Sequence, residues 1–148
     1  ADEELVTRFG MFAVVAPPLR SRESVSALWR HYVDGNVDVV GSDHAPHSVA
    51  EKQKANVWDV PAGFPGLETT IHILLDRLAR GQLTLNRILE SCASKPAAIF
   101  GLTDKGSIRE GFDADVVIVD PKEDFRVDPS TFHTKARYSP FEGLVLKG

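Results

Sequence analysis

The sequence has little cysteine and no excess of basic residues. Its one cysteine, Cys92, excludes an internal disulfide framework and any CxxC motif, and it fits a reducing compartment such as the cytoplasm. The net charge of −4 argues against a nucleic-acid-binding surface, which is normally basic. No apolar run is long enough to span a bilayer, so no membrane association is expected. The N-terminal residues lack the basic and apolar segments of a secretory signal, and we expect none.

The chain is also too short for some folds. Its 148 residues, of which 43% are hydrophobic, suffice for one globular domain or a domain and a half. A complete (β/α)8 barrel takes about 250 residues, so this chain cannot contain one. Hydrophobic content and charge lie near the averages of folded proteins, which excludes a disordered or fibrous chain.

The first part of the chain has an α/β pattern. Apolar runs at 11–15 and 37–41 predict two short buried strands. Between them, apolar residues at helical spacing predict a helix that Ser21 caps and Gly35 ends. A strand, a helix and a strand with short connections imply a parallel crossover.

Helices and then short strands follow. We predict helices over 67–80, from Thr84 onward, and from Ser94 onward. From Lys105 the composition changes to glycines and short apolar runs, which places a domain boundary near residue 103. The predicted strands beyond it are 116–120, 125–127 and 144–146.

The segment GSDHAPH (41–47) is the strongest candidate for chemistry. Asp43, His44 and His47 directly follow a predicted strand and open a long loop without periodicity, residues 42–65. Carboxylate and imidazole are ordinary zinc ligands, and Asp can serve as a general base. The alternative is a turn in which Asp43 caps local N–H groups and the histidines are solvated. The strand-end position and the loop length favour a functional site.

A metal site needs more ligands than this segment offers. Catalytic zinc usually takes three protein ligands, yet the chain has no HxH pair and no HExxH motif. We expect His31 to lie at the surface, His72 to be structural and His133 to be exposed. If Asp43 binds a metal, most of its co-ligands therefore lie outside this chain.

A series of segments closely resembles the dihydroorotases of the amidohydrolase superfamily. The motif SDHAPH followed by PGLET is specific to dihydroorotase-like proteins, whereas the glycine- and aspartate-rich segment after residue 104 is shared with allantoinases and hydantoinases. In chain order the segments are APPLRS (16–21), VDVVGSDHAPH (37–47), EK (51–52), PAGFPGLET (61–69), KPAAIFGL (95–102), KGSIREGFDADVVIVD (105–120) and SPFEG (139–143).

The resemblance implies a partial (β/α)8 TIM-type metal-dependent hydrolase barrel. Residues 1–103 would form its C-terminal portion, with the last strands and helices, and residues 104–148 part of a small β-sandwich domain. The predicted strands at 11–15 and 37–41 would then be barrel strands seven and eight. The chain resembles a piece of a longer enzyme, truncated at both ends, so we expect uncovered strand edges and apolar faces.

The resemblance also implies roles for single residues. Asp43 would ligate the metal and act as general base, passing a proton from the attacking water to the leaving nitrogen. His47 would contact the substrate carboxylate, and the backbone of Ala62 and Gly63 would lie against the substrate ring. Ala16 stands where the family normally has a substrate-binding asparagine. Its lost hydrogen bond would weaken binding by about 0.5–1.5 kcal/mol.

The implied reaction interconverts N-carbamoyl-L-aspartate and (S)-dihydroorotate in pyrimidine biosynthesis. One or two zinc ions would take part, with the remaining ligands outside this chain, and we expect the isolated chain to be inactive. A cytoplasmic homo-oligomer is expected. One alternative is a non-catalytic dihydroorotase-like partner of aspartate transcarbamoylase, and another is an allantoinase or hydantoinase. An HxH pair upstream of this sequence would favour the enzyme over the non-catalytic partner.

Overall fold

Helices form most of the regular structure in the computed structural model, which describes all residues from Ala1 to Gly148. The α-helices are α1 (Glu4–Phe9), α2 (Arg22–Val33), α3 (Val49–Lys52), α4 (Leu67–Ala79), α5 (Leu85–Leu89) and α6 (Lys95–Ile99). The strands are β1 (Asp124–Arg126) and β2 (Val145–Lys147). Short 3-10 turns cover Gly10–Ala13, Val57–Asp59 and Pro129–Thr131, and a π-helical turn over Glu90–Ser94 joins α5 to α6. None of the helices has the length and apolar character needed to cross a membrane.

The predicted helices are confirmed, together with three of their predicted ends. The Ser21 hydroxyl accepts a hydrogen bond from the Ser24 N–H at 3.3 Å and so caps α2. The Thr84 hydroxyl likewise accepts from the Arg87 N–H at 3.2 Å at the start of α5. Gly35 follows α2 with a φ of +86°, a left-handed conformation that ends the helix.

The two predicted barrel strands are wrong as secondary structure. Residues 10–13 form a 3-10 turn, and 37–41 have no regular structure. The Val14 carbonyl accepts from the Gly63 N–H at 2.9 Å, and the Val40 N–H donates to the Ser91 carbonyl at 3.1 Å. A strand needs a neighbouring strand with matching donors and acceptors, and this chain places none beside either segment.

The last part of the chain contains one antiparallel strand pair. Strand β1 pairs with β2, with Phe125 opposite Leu146, which confirms two of the three strands predicted there to within two residues. The third, 116–120, is wrong, because that segment has no strand partner. Val117 is 84% and Ile118 is 95% exposed, so the expected uncovered apolar surface lies here.

Helix α4 is shared by both hydrophobic clusters of the chain. The larger cluster joins α2, α4 and α5, and it consists of Tyr32, Leu74, Leu75, Leu83 and Ile88. The smaller cluster consists of Val127, Phe132 and Leu146, and Ile73 of α4 packs against it. The helix that directly follows the long loop is therefore held by packing against both clusters.

The first turn of α4 is also tied to the β-rich part of the chain by Glu68. Its carboxylate accepts hydrogen bonds from the His133 N–H at 2.9 Å and the Thr134 N–H at 3.2 Å. Burial would raise the pKa of this carboxyl, but the two N–H groups favour the charged form and hold the pKa below its usual value. The division of the chain near residue 103 stays a prediction.

Candidate active site

The long loop between residue 41 and α4, here called the site loop (residues 42–65), closes on itself. A single parallel bridge joins His44 to Phe64, and the Ala45 N–H donates to the Phe64 carbonyl at 3.3 Å. This contact brings the SDHAPH motif at the start of the loop beside the segment PAGFPG at its end. Two motifs that are separated in sequence thus form one surface.

His44 caps helix α4 from within the site loop. Its Nδ1 accepts hydrogen bonds from the Gly66 and Leu67 N–H groups, both at 3.2 Å. These N–H groups lie at the helix N-terminus, where no intrahelical acceptor exists. Because Nδ1 accepts, it carries no proton, and the neutral ring carries its proton on Nε2. The alternative in which His44 is a solvated side chain is therefore wrong.

Substitution of His44 tests this cap. His44→Ala leaves two helix N–H groups without an acceptor and should lower the free energy of unfolding by about 1–2 kcal/mol. His44→Asn is the matched control, because its amide oxygen can accept in place of Nδ1. Urea unfolding of the 148-residue chain measures both. Equal destabilisation by both variants, or none by His44→Ala, would contradict the capping role.

His47 contacts the backbone at the other end of the site loop. Its Nε2 lies 3.1 Å from the Ala62 carbonyl oxygen. Since a carbonyl can only accept, Nε2 is the donor and carries a proton. Two of the residues that the sequence predicts to bind substrate are thus in direct contact, and Ala62 is exposed beside the half-buried His47.

Gly63 occupies a position that admits no side chain. Its φ of +131° lies outside the range that other residues readily adopt. A Cβ atom there would lie 2.5 Å from the Ala45 Cβ and 2.7 Å from the Ala45 carbonyl oxygen. The Gly63 N–H donates to the Val14 carbonyl at 2.9 Å, so the backbone at 63 is fixed on both sides.

Lys52 lies at the centre of these contacts and is fully buried. Its ammonium donates to the Val14 carbonyl at 3.0 Å and to the carbonyls of Pro61 and Gly63, each at 2.9 Å. Burial lowers the pKa of the Lys52 ammonium. From sequence, Lys52 is included only within the EK segment and is given no role, because lysine is almost never fully buried and nothing local indicates the three acceptors.

Helix α3 delivers Lys52 to this position. A capping box starts the helix: the Ser48 hydroxyl accepts from the Glu51 N–H at 3.3 Å, and the Glu51 carboxylate accepts from the Ser48 N–H at 2.7 Å. The Ser48 N–H and hydroxyl also hold the pKa of Glu51 below its usual value. The single turn is therefore fixed at its start.

Asp43 has an unusual backbone and a free carboxylate. Its φ is +45°, in the left-handed region that few residues other than glycine adopt, although Asp tolerates it better than most. The side chain is exposed and makes no hydrogen bond or ion pair within the chain. The alternative in which Asp43 caps local N–H groups is therefore wrong. Strained conformations of this kind cluster at functional sites.

The remaining predicted residues lie around or away from this surface. Ala16 is exposed and follows Val14 by two positions. His31 and His133 are exposed as predicted, and the His72 ring stacks on Phe125 with centroids 3.7 Å apart.

No three His, Cys, Asp or Glu side chains come together in a group that could hold a metal. Asp43 offers one carboxylate of the kind that zinc accepts.

Residues 59–146 match the amidohydrolase family. The chain is 41% identical to a dihydroorotase of Methanothermobacter thermautotrophicus over 99% of its own length and 33% of that protein. It is 39% identical to an L-hydantoinase of Paenarthrobacter aurescens over 95% of its length and 32% of that protein. A solved L-hydantoinase (dihydropyrimidinase) from Arthrobacter aurescens superposes with a TM-score of 0.93 at 37% identity, over 99% of this chain and 34% of that one. The chain thus spans about a third of the length of the relatives it matches.

Proposed function

The chain belongs to the amidohydrolase family, and on that premise we propose that it forms part of a dihydroorotase. The proposed reaction interconverts N-carbamoyl-L-aspartate and (S)-dihydroorotate in de novo pyrimidine biosynthesis. One observation carries the proposal: the site loop presents a free carboxylate, Asp43, on the same closed loop as a histidine that donates to the Ala62 carbonyl. A cyclic amide with a carboxylate substituent needs both a base and a donor of this kind.

Asp43 is the proposed general base. A carboxylate that is exposed and free of hydrogen bonds is available to accept a proton from the attacking water. In the hydrolytic direction Asp43 takes that proton as the water oxygen bonds to the carbonyl carbon. It then delivers the proton to the ring nitrogen as the C–N bond breaks. In the reverse direction the same group removes the proton from the carbamoyl nitrogen.

His47, Ala62 and Gly63 are the proposed substrate-binding residues. The His47 Nε2–H, which donates to the Ala62 carbonyl in this structure, would turn to donate to the substrate carboxylate. The exposed Ala62 backbone would lie against the ring of the substrate. Gly63 permits that approach, because a Cβ atom there would displace Ala45 and with it the loop. Ala16 offers no side-chain hydrogen bond, so its contribution would be contact alone.

Asp43 is also the residue of this chain that would hold zinc. Its carboxylate oxygen suits the ion, and the other ligands would come from outside this sequence. When bound, one or two zinc ions would polarise the amide carbonyl and lower the pKa of water. The isolated chain would therefore bind zinc weakly and lack turnover.

The proposal also includes the assembly of the whole protein. It would be a cytoplasmic homo-oligomer, with aspartate transcarbamoylase as a candidate partner.

A hydantoinase is the second candidate. It is favoured by the solved L-hydantoinase that superposes with a TM-score of 0.93. A hydantoin ring can lack a carboxylate, so it would not need the donor at His47. Activity on a ring without a carboxylate therefore distinguishes the two candidates.

A chimeric enzyme, here called the graft, tests the proposal. Residues 1–148 would replace the matching third of the Methanothermobacter dihydroorotase, which supplies the rest of the enzyme. With zinc, this graft should hydrolyse dihydroorotate with a higher kcat/KM than hydantoin or allantoin. A higher kcat/KM for hydantoin would favour the second candidate. A cooperatively folded, zinc-loaded graft without any turnover would contradict both.

A further inference from the structure

Lys52 carries a buried positive charge that no carboxylate neutralises. The side chain is fully buried, and it forms no ion pair; its partners are the three carbonyls of Val14, Pro61 and Gly63. Fully buried lysines are rare and are normally paired with an acid. Removing the ammonium from water costs free energy, and an apolar side chain would fill the same space without that cost. The charge therefore indicates a role beyond packing.

The three carbonyls belong to the two segments proposed to contact substrate. Pro61 and Gly63 flank Ala62, so the ammonium holds the backbone on both sides of that residue. Val14 precedes Ala16 by two positions. The Gly63 N–H donates to the same Val14 carbonyl that Lys52 contacts. The two segments therefore meet at the Lys52 ammonium.

We propose that Lys52 is the positioning residue of the substrate pocket, and that its charge favours anionic substrates. This inference rests on the proposed function for the identity of the substrate. Lys52 fixes the separation between the 61–63 backbone and the segment that leads to Ala16. Because its charge has no acidic partner, it also adds positive potential to the pocket in which the substrate carboxylate binds. Lys52 touches no reacting atom and acts through the backbone it holds.

The test compares two lysines of the same segment in the graft. Lys52→Met removes the charge and the three hydrogen bonds while keeping a similar side-chain length. Lys54→Met is the matched control, since Lys54 is exposed and its side chain forms no hydrogen bond. Lys52→Gln is a second variant that keeps neutral donors.

Lys52→Met should raise KM for dihydroorotate about tenfold, with a smaller change in kcat, because ground-state binding depends on the loop position. Lys52→Gln should give an intermediate KM, and Lys54→Met should leave both constants unchanged. A structural role alone would lower the folded fraction, and hence apparent kcat, at unchanged KM. That pattern would overturn the proposal.

Amide hydrogen exchange separates this inference from the proposed function. The Gly63 N–H should exchange faster in Lys52→Met than in the unsubstituted graft, while the α4 amides keep their protection. Faster exchange in a graft that does not hydrolyse dihydroorotate would reject the proposed function and retain the positioning of the loop by Lys52. An unchanged exchange rate of the Gly63 N–H in Lys52→Met would overturn the positioning role, whether or not the graft hydrolyses dihydroorotate.

Discussion

Replacing Asp43 by asparagine in the graft should lower kcat for dihydroorotate by about 10²–10⁴-fold, the usual contribution of a general base. Asparagine keeps the shape of the side chain but cannot take a proton from water. It also tolerates the left-handed backbone at this position, where φ is +45°. The loss would therefore report on the carboxylate, both as general base and as proposed zinc ligand, and not on folding. Initial rates at saturating substrate measure the loss, and the zinc content of the variant separates the two roles.

Asp59→Asn is the matched control for this experiment. Asp59 is an exposed carboxylate of the same loop, in the 3-10 turn, and it should leave kcat unchanged. Asp43→Ala is less informative, because alanine at a left-handed position adds about 1–2 kcal/mol of backbone strain. An Asp43→Asn graft that is folded and retains near-normal turnover would refute the assigned role.

Gly63→Ala should destabilise the chain by about 3 kcal/mol or more, since backbone strain and overpacking act at the same residue. The added Cβ would lie 2.5 Å from the Ala45 Cβ at a φ of +131°, and neither atom can move without shifting the backbone. The shift would also break the contacts of Gly63 with Val14 and Lys52. Urea unfolding measures the loss as a lower midpoint at an unchanged slope.

Gly41→Ala provides the comparison, at the residue immediately before the site loop. A Cβ atom at Gly41 meets nothing within 4 Å, and its φ is not positive. That substitution should change the free energy of unfolding by less than about 1 kcal/mol. If the two substitutions changed the free energy of unfolding equally, the close approach of Gly63 to Ala45 would not contribute to stability.

The helices were predictable from sequence because their signals are local. Apolar spacing and the hydroxyls of Ser21 and Thr84 lie within a few residues of the structure they specify. The runs at 11–15 and 116–120 are apolar enough for strands, yet a strand also depends on a neighbouring strand, whose position in the sequence no local pattern gives. In this chain no neighbour is present beside them.

Part of the candidate site was found from sequence for the same reason. The close spacing of carboxylate and imidazole groups and the length of the loop indicated Asp43 and His47, although the strand expected before them is absent. Lys52 and His44 act through acceptors and donors that are close only in space, at Val14, Pro61 and Gly66. No local pattern distinguishes such a lysine or histidine from a surface residue.

A crystal structure of the Asp43→Asn graft with dihydroorotate bound would test the central claim most directly, because the substitution should prevent turnover. We predict that the substrate carboxylate lies within hydrogen-bond distance of the His47 ring. The ring of the substrate should rest against the backbone of Ala62 and Gly63. Dihydroorotate bound away from the site loop, or with its carboxylate turned from His47, would contradict the claim.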